Sequence, residues 1–529
     1  MKKTSNLTKT TLSLLVLLTI ATFGCGSGSD TPYFATAVGR TQNPLVAEYD
    51  VTTSVIGANV WVEFGTDQTY GRSTSKMGPI TAPYKPLKVL VAGMKPSTTY
   101  HMRAHVEWGG GSSVDQDRTF TTGTVPAKPL ADGGPGVLVA PTISVTRPNP
   151  NLKPQPGVEL MNMIGAANTY LLSAFVTDLS GNIIWYYDIG AGNILSTIKP
   201  LSNGHLLLNI GHYSSDPALP ADTVLREIDL AGNTISQVSA VSVSQQLQSM
   251  NYDFTVAGFH HDVLELSNGH WIVLGSVTKS FTDLPGYPGV TTVTGDALID
   301  LDQNRNVAWA WNAFDHLDIN RHPYLFPDWT HSNAILYTQN DGNLVLSIRH
   351  QNWIIKIDYQ NGSGSGDVLW HLGYQGDFQF SGDPSEWFFA QHFPSINSIN
   401  GSQITLTVFD NGDDRYVDGS NFYCGNNGNP PCYSRAVIFQ LDESTKVANL
   451  VWADTPGVYS YFGGGAQTLA NNNVEFDLCA PSFFAALAQV NEVTQVANPQ
   501  VVWQMNLNGG YAYRGYRIPS LYPGVTWNK

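Results

Sequence analysis

From Tyr33 to about Gly123, apolar and polar residues alternate with a period of two, the pattern of strands with one buried and one exposed face. Asn59-Val60-Trp61-Val62-Glu63-Phe64 is one such run, and Thr98-Thr99-Tyr100-His101-Met102-Arg103-Ala104 is another, entered through the turn Gly93-Met94-Lys95-Pro96-Ser97. Residues 33–123 therefore predict a β-sandwich domain. Residues 124–141 are rich in Pro and Gly and predict a linker.

From residue 142 to 529 the pattern changes to a repeat: a turn ending in Gly, three or four apolar residues, a strand ending in Ile-Asp or similar, a turn, and a strand carrying Trp. Asn203-Gly204-His205-Leu206, Asn268-Gly269-His270-Trp271 and Asp341-Gly342-Asn343-Leu344 open the clearest copies, the second and third of which end at Trp309 and Trp370, and later, weaker copies hold Trp452 and Trp503. Gly204, Gly269, Gly342 and Gly401 are 65, 73 and 59 residues apart, which divides this part into about six units. A four-stranded unit cannot bury both faces alone, and four to eight such units close into a ring. The expectation is an all-β chain with a six-bladed β-propeller over 142–529; a sandwich array or solenoid is the alternative.

Composition agrees, with 11% aromatic and only 13% charged residues among 529. A net charge of −15 repels phosphate backbones, so no nucleic-acid partner is expected. Residues 1–25 predict an export signal: Lys2-Lys3, an apolar stretch over 12–20, then Gly24-Cys25. Cys25 before Gly-Ser-Gly-Ser-Asp allows lipid anchoring, while ordinary cleavage would give a soluble periplasmic or otherwise exported protein. In an exported chain Cys424 and Cys432, flanking a short Gly/Asn/Pro loop, are expected to form a disulfide, and Cys479 a buried free thiol.

Three histidine motifs, His260-His261-Asp262, His331-Ser332-Asn333 and His392-Phe393-Pro394, each precede an apolar run leading to a Gly turn. In a propeller such equivalent positions converge on the central channel, so three imidazoles are expected at one cavity. Imidazoles from several strands can also bind Zn or Fe. No carboxylate occupies a fourth equivalent position, and the expectation is a site with no metal and no cofactor. Asp410-Asn411-Gly412-Asp413-Asp414 lacks EF-hand spacing and predicts a polar turn after the strand 404–409.

Phe259-His260-His261-Asp262, Asp328-Trp329-Thr330-His331-Ser332-Asn333, Leu346-Ser347-Ile348-Arg349-His350-Gln351, Gln391-His392, Val408-Phe409-Asp410-Asn411-Gly412-Asp413 and Tyr433-Ser434-Arg435-Ala436-Val437 resemble, in order and type, the bacterial arylsulfate sulfotransferases. The resemblance covers most of the chain from about residue 145. It implies a six-bladed propeller with an N-terminal sandwich, His392 as a nucleophile that becomes sulfated, Arg349 on the sulfuryl oxygens, and His331, Asn333 and His260 completing the catalytic set. Of the adjacent pair, repeat register favours His260 over His261 as the channel residue. The sandwich over 33–123 is similar to fibronectin type III domains, whose Tyr tucks into a corner.

The implied chemistry suits these residue types. Neutral imidazole, with an ordinary pKa of about 6.5, is nucleophilic without a separate base. A guanidinium fork matches the non-bridging oxygens better than an ammonium does. A second imidazole can protonate the leaving phenolate and later deprotonate the acceptor phenol. Trp329, Phe393 and His261 are candidate walls for the aromatic rings. The expected partners are an aryl sulfate donor and a phenol acceptor; the absence of a Walker-type phosphate loop argues against a nucleotide donor. A ligand-binding propeller without catalysis and a metal-dependent hydrolase or lyase are the competing functions.

Overall fold

The computed structural model describes residues 32–166, 169–212, 223–417, 420–424, 432–482 and 486–528. The expected leader, with Cys25, lies outside them. Two sheets form the N-terminal unit: Phe34–Arg40, Ala47–Thr53 and Leu87–Val91 in one, and Asn59–Gly65, Arg72–Ser73, Thr99–Trp108, Gly111–Val114 and Arg118–Thr121 in the other. The alternating runs face each other with Tyr49, Val51, Val60, Val62, Phe64, Met102 and Ala104 fully buried. Each buried aliphatic side chain stabilises by about 1.5–3 kcal/mol. Tyr100 closes the turn before its strand, its hydroxyl accepting the Lys95 N–H at 2.9 Å. The segment 124–141 is not a bare linker. Its strands Lys128–Pro129 and Val139–Ala140 pair in parallel.

Six antiparallel-built sheets follow, with first strands Val158–Gly165, Asn193–Pro200, Gly258–Glu265, Ser332–Thr338, His392–Asn400 and Gly465–Thr468. Both chain ends are tied in. Gly510–Ile518 adds to Val158–Gly165 in the first sheet, and Thr142–Thr146 adds to Val501–Asn508 in the sixth. Tryptophans lock neighbours together through the indole N–H, which donates to a turn of the next sheet: Trp185 to Leu230 O, Trp311, in place of the expected Trp309, to Gly366 O, Trp370 to Glu443 Oε1, and Trp452 to Val496 O. Trp503 of the sixth sheet donates to Leu179 O of the first. Between second and third sheets Gln246, on the helix Ala240–Ser249, takes the same part by accepting the Val307 N–H at 2.8 Å. Each sheet is thus fastened to the next, and the last to the first.

Cys424 and Cys432 are joined. Cys479 is a buried free thiol. Among the described residues no helix is long and apolar enough to cross a membrane.

Candidate active site

The three histidine motifs lie where the first strands of the third, fourth and fifth sheets begin, and each strand departs from ladder geometry there. Register shifts fall between Phe259 and Val263, Ser332 and Ala334, and His392 and Ser395. His261, His331 and Phe393 have φ of 51°, 50° and 35°. Left-handed backbone at non-glycine residues costs on the order of 1–3 kcal/mol each and persists only where surrounding contacts impose it. Here it turns side chains out of the ladder and toward one another.

The turn between Ile348 and Trp353 supplies the cation. Arg349 N–H donates to His331 O and His350 N–H to Thr330 O, which ties this turn to the His331 loop. The Arg349 guanidinium, 7% exposed, donates to Asp413 Oδ2 at 2.6 Å and to His350 Nε2. Its Nε–H is buried without a hydrogen-bond partner. His350 Nδ1 donates to Asp328 O at 2.8 Å, so its Nε2 is the bare nitrogen that faces Arg349. Burial, then His331 and Arg349, hold His350 down at about 3, which keeps it neutral.

His331 lies beside His350, ring centroids 4.6 Å apart, with Nδ1 2.5 Å from Asp328 Oδ2. Burial pushes the Asp328 carboxyl up, but His331, His350 and Arg349 together outweigh it and hold it well below the usual carboxylate range. His392 is buried, with Nδ1 2.8 Å from Asn411 Oδ1, and Gly463 N–H is directed at Nε2 from 3.3 Å. Burial, then Arg349, hold its ring well below the ordinary imidazole value, so it is neutral near pH 7. Tyr513 bridges the group, with ring centroids 6.3 Å from His392 and 5.8 Å from His261.

The adjacent histidines and the candidate aromatic walls have different surroundings. His261, not His260, meets His331, at 4.7 Å between ring centroids. The bulge with its left-handed residue breaks the repeat register on which the choice of His260 rested. His260 stands behind, its Nδ1 2.7 Å from His261 Nδ1 and its Nε2 3.2 Å from Asp296 Oδ1. Trp329 is core: its ring stacks on Phe314 and its Nε1–H donates to Arg321 O. Phe393 is covered by Arg514 and Lys199, 4.1 and 4.4 Å from its ring centroid. Tyr324, stacked on His350 at 4.4 Å, and Tyr513 are aromatics of this group that the sequence did not single out. Asn333 donates one amide hydrogen to Gln391 O at 2.7 Å, and its Oδ1 is buried without a partner.

Residues 410–414 are not a solvated turn. Asp410, Asn411 and Asp413 are wholly buried and face Arg435, His392 and Arg349 respectively. The clue lay in register: the strand Gln403–Asp410 pairs Phe409 with His392, so whatever follows Asp410 must reach the same end of the sheet. Asp328 was also missed. Its ligand atoms and those of His331 and His350 lie within 4.8 Å of one another. These donors are already taken up by each other and by Arg349, so a cation there would sit against a guanidinium.

A buried neutral imidazole whose Nε2 carries no hydrogen, a forked cation with an unused N–H, and a carboxylate-backed second imidazole form a set suited to moving an anionic group. The family model for arylsulfotransferase (ASST) matches residues 150–514. The chain belongs to that family. Family membership makes it an arylsulfotransferase, a transferase acting between small aryl donors and acceptors. No curated protein matches it. Among solved structures, a Bacteroides caccae protein of unknown function is 12% identical, with TM-score 0.38 over 68% of this chain and 98% of its own. A Pseudomonas brassicacearum lignostilbene dioxygenase is 10% identical, with TM-score 0.33 over 93% and 96%. A Synechocystis ACO mutant is 12% identical, with TM-score 0.32 over 92% and 96%. Likenesses this weak say nothing about the activity of the arylsulfotransferase.

Proposed function

We propose that this arylsulfotransferase carries the sulfuryl group on His392, between a simple aryl sulfate and a phenol, without a nucleotide donor. The observation that carries the proposal is a buried imidazole, His392, kept neutral in part by the charge of Arg349, together with the Arg349 Nε–H that has no partner. In this reading the six sheets are blades of a six-bladed propeller, the unit at 33–123 is a fibronectin-III-like domain, and the histidines sit at the mouth of the central channel. In the first half-reaction His392 Nε2 attacks sulfur as the bond to the aryl oxygen breaks, and that oxygen takes a proton from His331. Asp328 on Nδ1 holds the His331 ring for that task. Arg349 neutralises the sulfuryl oxygens, and Asn333 holds one of them through the amide hydrogen that Gln391 O does not take. In the second, a phenol returns its proton to His331, its oxygen attacks sulfur, and the N–S bond breaks. We also propose export, on the strength of Lys2-Lys3 and the apolar stretch over 12–20, with a lipid at Cys25; fractionation and mass of the mature N-terminus test both.

The deciding experiment mixes enzyme with aryl sulfate alone. A sulfated peptide containing His392 is expected by mass spectrometry, and ping-pong kinetics when a phenol is added. If donor turns over with no such adduct and His392→Ala stays nearly as active, the assignment fails. Activity lost to chelation and restored by one transition metal would move the chemistry to Asp328, His331 and His350 instead.

A further inference from the structure

We infer that Asn411 is a positioning residue that fixes the tautomer of His392, leaving Nε2 as the bare nitrogen, and that its neutrality keeps the sulfated ring reactive. The second half rests on the sulfohistidine proposal; the first stands on hydrogen bonds alone. A side-chain amide has two N–H donors and one oxygen. Asn411 uses both donors on backbone carbonyls, Ser460 O at 2.8 Å and Gly463 O at 3.0 Å. It cannot be flipped, because Oδ1 would then face those two carbonyl oxygens. Its oxygen therefore faces His392 Nδ1, 2.8 Å away, and an oxygen there requires Nδ1 to carry the hydrogen. Neutral imidazole has one N–H, so Nε2 holds the lone pair. The Gly463 N–H aimed at Nε2 asks for the same tautomer independently.

One side chain thus sets both sides of the nucleophile: Oδ1 holds the ring, and Nδ2 holds the loop that brings Gly463 to the ring. That loop has little freedom. Gly463 has φ of +61°, and a Cβ there would lie 2.6 Å from Cys479 Sγ.

The choice of amide over carboxylate has a chemical consequence. When the N–S bond forms and the S–O bond to the aryl group breaks, the ring becomes a sulfoimidazolium that still carries its Nδ1 hydrogen. Asn411 accepts that hydrogen but cannot remove or share the positive charge, so the ring remains a good leaving group for transfer to the phenol. A carboxylate would stabilise the cation, and would also protonate the free ring at the expense of the nucleophile. Arg349, His331, His261 and Arg514 act on His392 through their charge and Tyr513 lies beside its ring, and none of these is an anion near pH 7.

Nitrogen-15 NMR of the enzyme labelled in histidine, with no substrate, tests the tautomer directly, with His392 identified by its loss in His392→Gln. The Nδ1–H form is expected near pH 7. An Nε2–H form overturns the inference whatever the activity. Asn411→Asp is the second arm: the acid limb of kcat/KM should move up by about one pH unit or more, and donor-only sulfation should persist while transfer to phenol slows about 10–100-fold. A folded Asn411→Asp enzyme with an unshifted profile and normal transfer overturns the role given to neutrality. Should that variant fail to fold, the wild-type spectrum still decides the tautomer. An Nδ1–H ring in an enzyme that never forms the His392 adduct would sink the sulfohistidine proposal and leave the positioning of the ring intact.

Discussion

Arg349 and Arg517 are both buried guanidiniums in the six-sheet part of the chain, and the charges around them are opposite in balance. Arg517 lies against three carboxylates: its Nε donates to Glu159, NH1 reaches Glu492 Oε2 at 3.1 Å, and NH2 lies 3.2 Å from Glu475 Oε2. Negative charge is in excess there, and burial followed by Glu159 pushes the Glu475 carboxyl well up, so that it keeps its proton. Arg349 is ion-paired with one carboxylate, Asp413, its other side-chain partner is the neutral His350, and the nearby Asp328 is shared with His331 and His350. Burial lifts Asp413 to about 7 against the pull of Arg349. Counting charges, not residue types, separates a cross-link from an anion site: carboxylates outnumber the cation around Arg517, whereas around Arg349 they are matched by a guanidinium and two imidazoles.

Breaking the first cluster should have the larger effect. Arg517→Met removes the only cation that the described residues place against Glu159, Glu475 and Glu492, and is expected to cost about 3–5 kcal/mol in urea unfolding, with activity per folded molecule nearly unchanged. A loss under about 1 kcal/mol would mean that the carboxylates simply protonate, and that the cluster is no cross-link.

Arg349→Met should do the reverse. Asp413 already titrates near neutrality and can take up a proton, so stability should fall less than in Arg517→Met, while kcat/KM for sulfuryl transfer falls about 10²–10³-fold. Arg349→Lys keeps the charge, loses the fork and should fall between. Equal losses of stability in Arg349→Met and Arg517→Met would erase the distinction between the two clusters.

How far the sequence exposes this arrangement depends on whether a feature is local. The strands from 59 to 65 and from 99 to 108 are legible because alternation records burial residue by residue. His331, His392 and Arg349 stand out because a polar residue amid apolar runs must be partnered or used. The exchange of His260 for His261 is not legible, because one left-handed residue in a bulge reverses which neighbour points inward. Trp329 and Tyr324 could be told apart only by their surroundings: one lies on Phe314 and the other on His350. Asn411 and Asp413 look like an exposed turn because their partners, His392 and Arg349, are 19 and 64 residues away. Contacts across that separation leave no periodic trace.

The smallest effect expected concerns Asp414, which belongs to the same buried stretch but touches neither His392 nor Arg349. Its Oδ2 accepts the Asn352 amide N–H at 2.9 Å, and burial raises its carboxyl to about 6 against that hydrogen bond and Arg321. A folded-state value above the unfolded one, about 3.9, means that the folded protein binds more protons between those limits. The penalty is therefore absent below about pH 4, grows as pH rises, and is complete above about pH 6. Asn at this position can still accept from Asn352 through its own oxygen, but carries no charge to bury. Asp414→Asn should then raise stability at pH 7 by up to about 2 kcal/mol and leave it unchanged at pH 4, with little change in sulfuryl transfer. Equal stabilisation at both pH values would show that the gain is not electrostatic. A fall in activity as large as that of Arg349→Lys would show that the acidic stretch works as one unit, with Asp414 sharing in the support of Arg349 through Asp413.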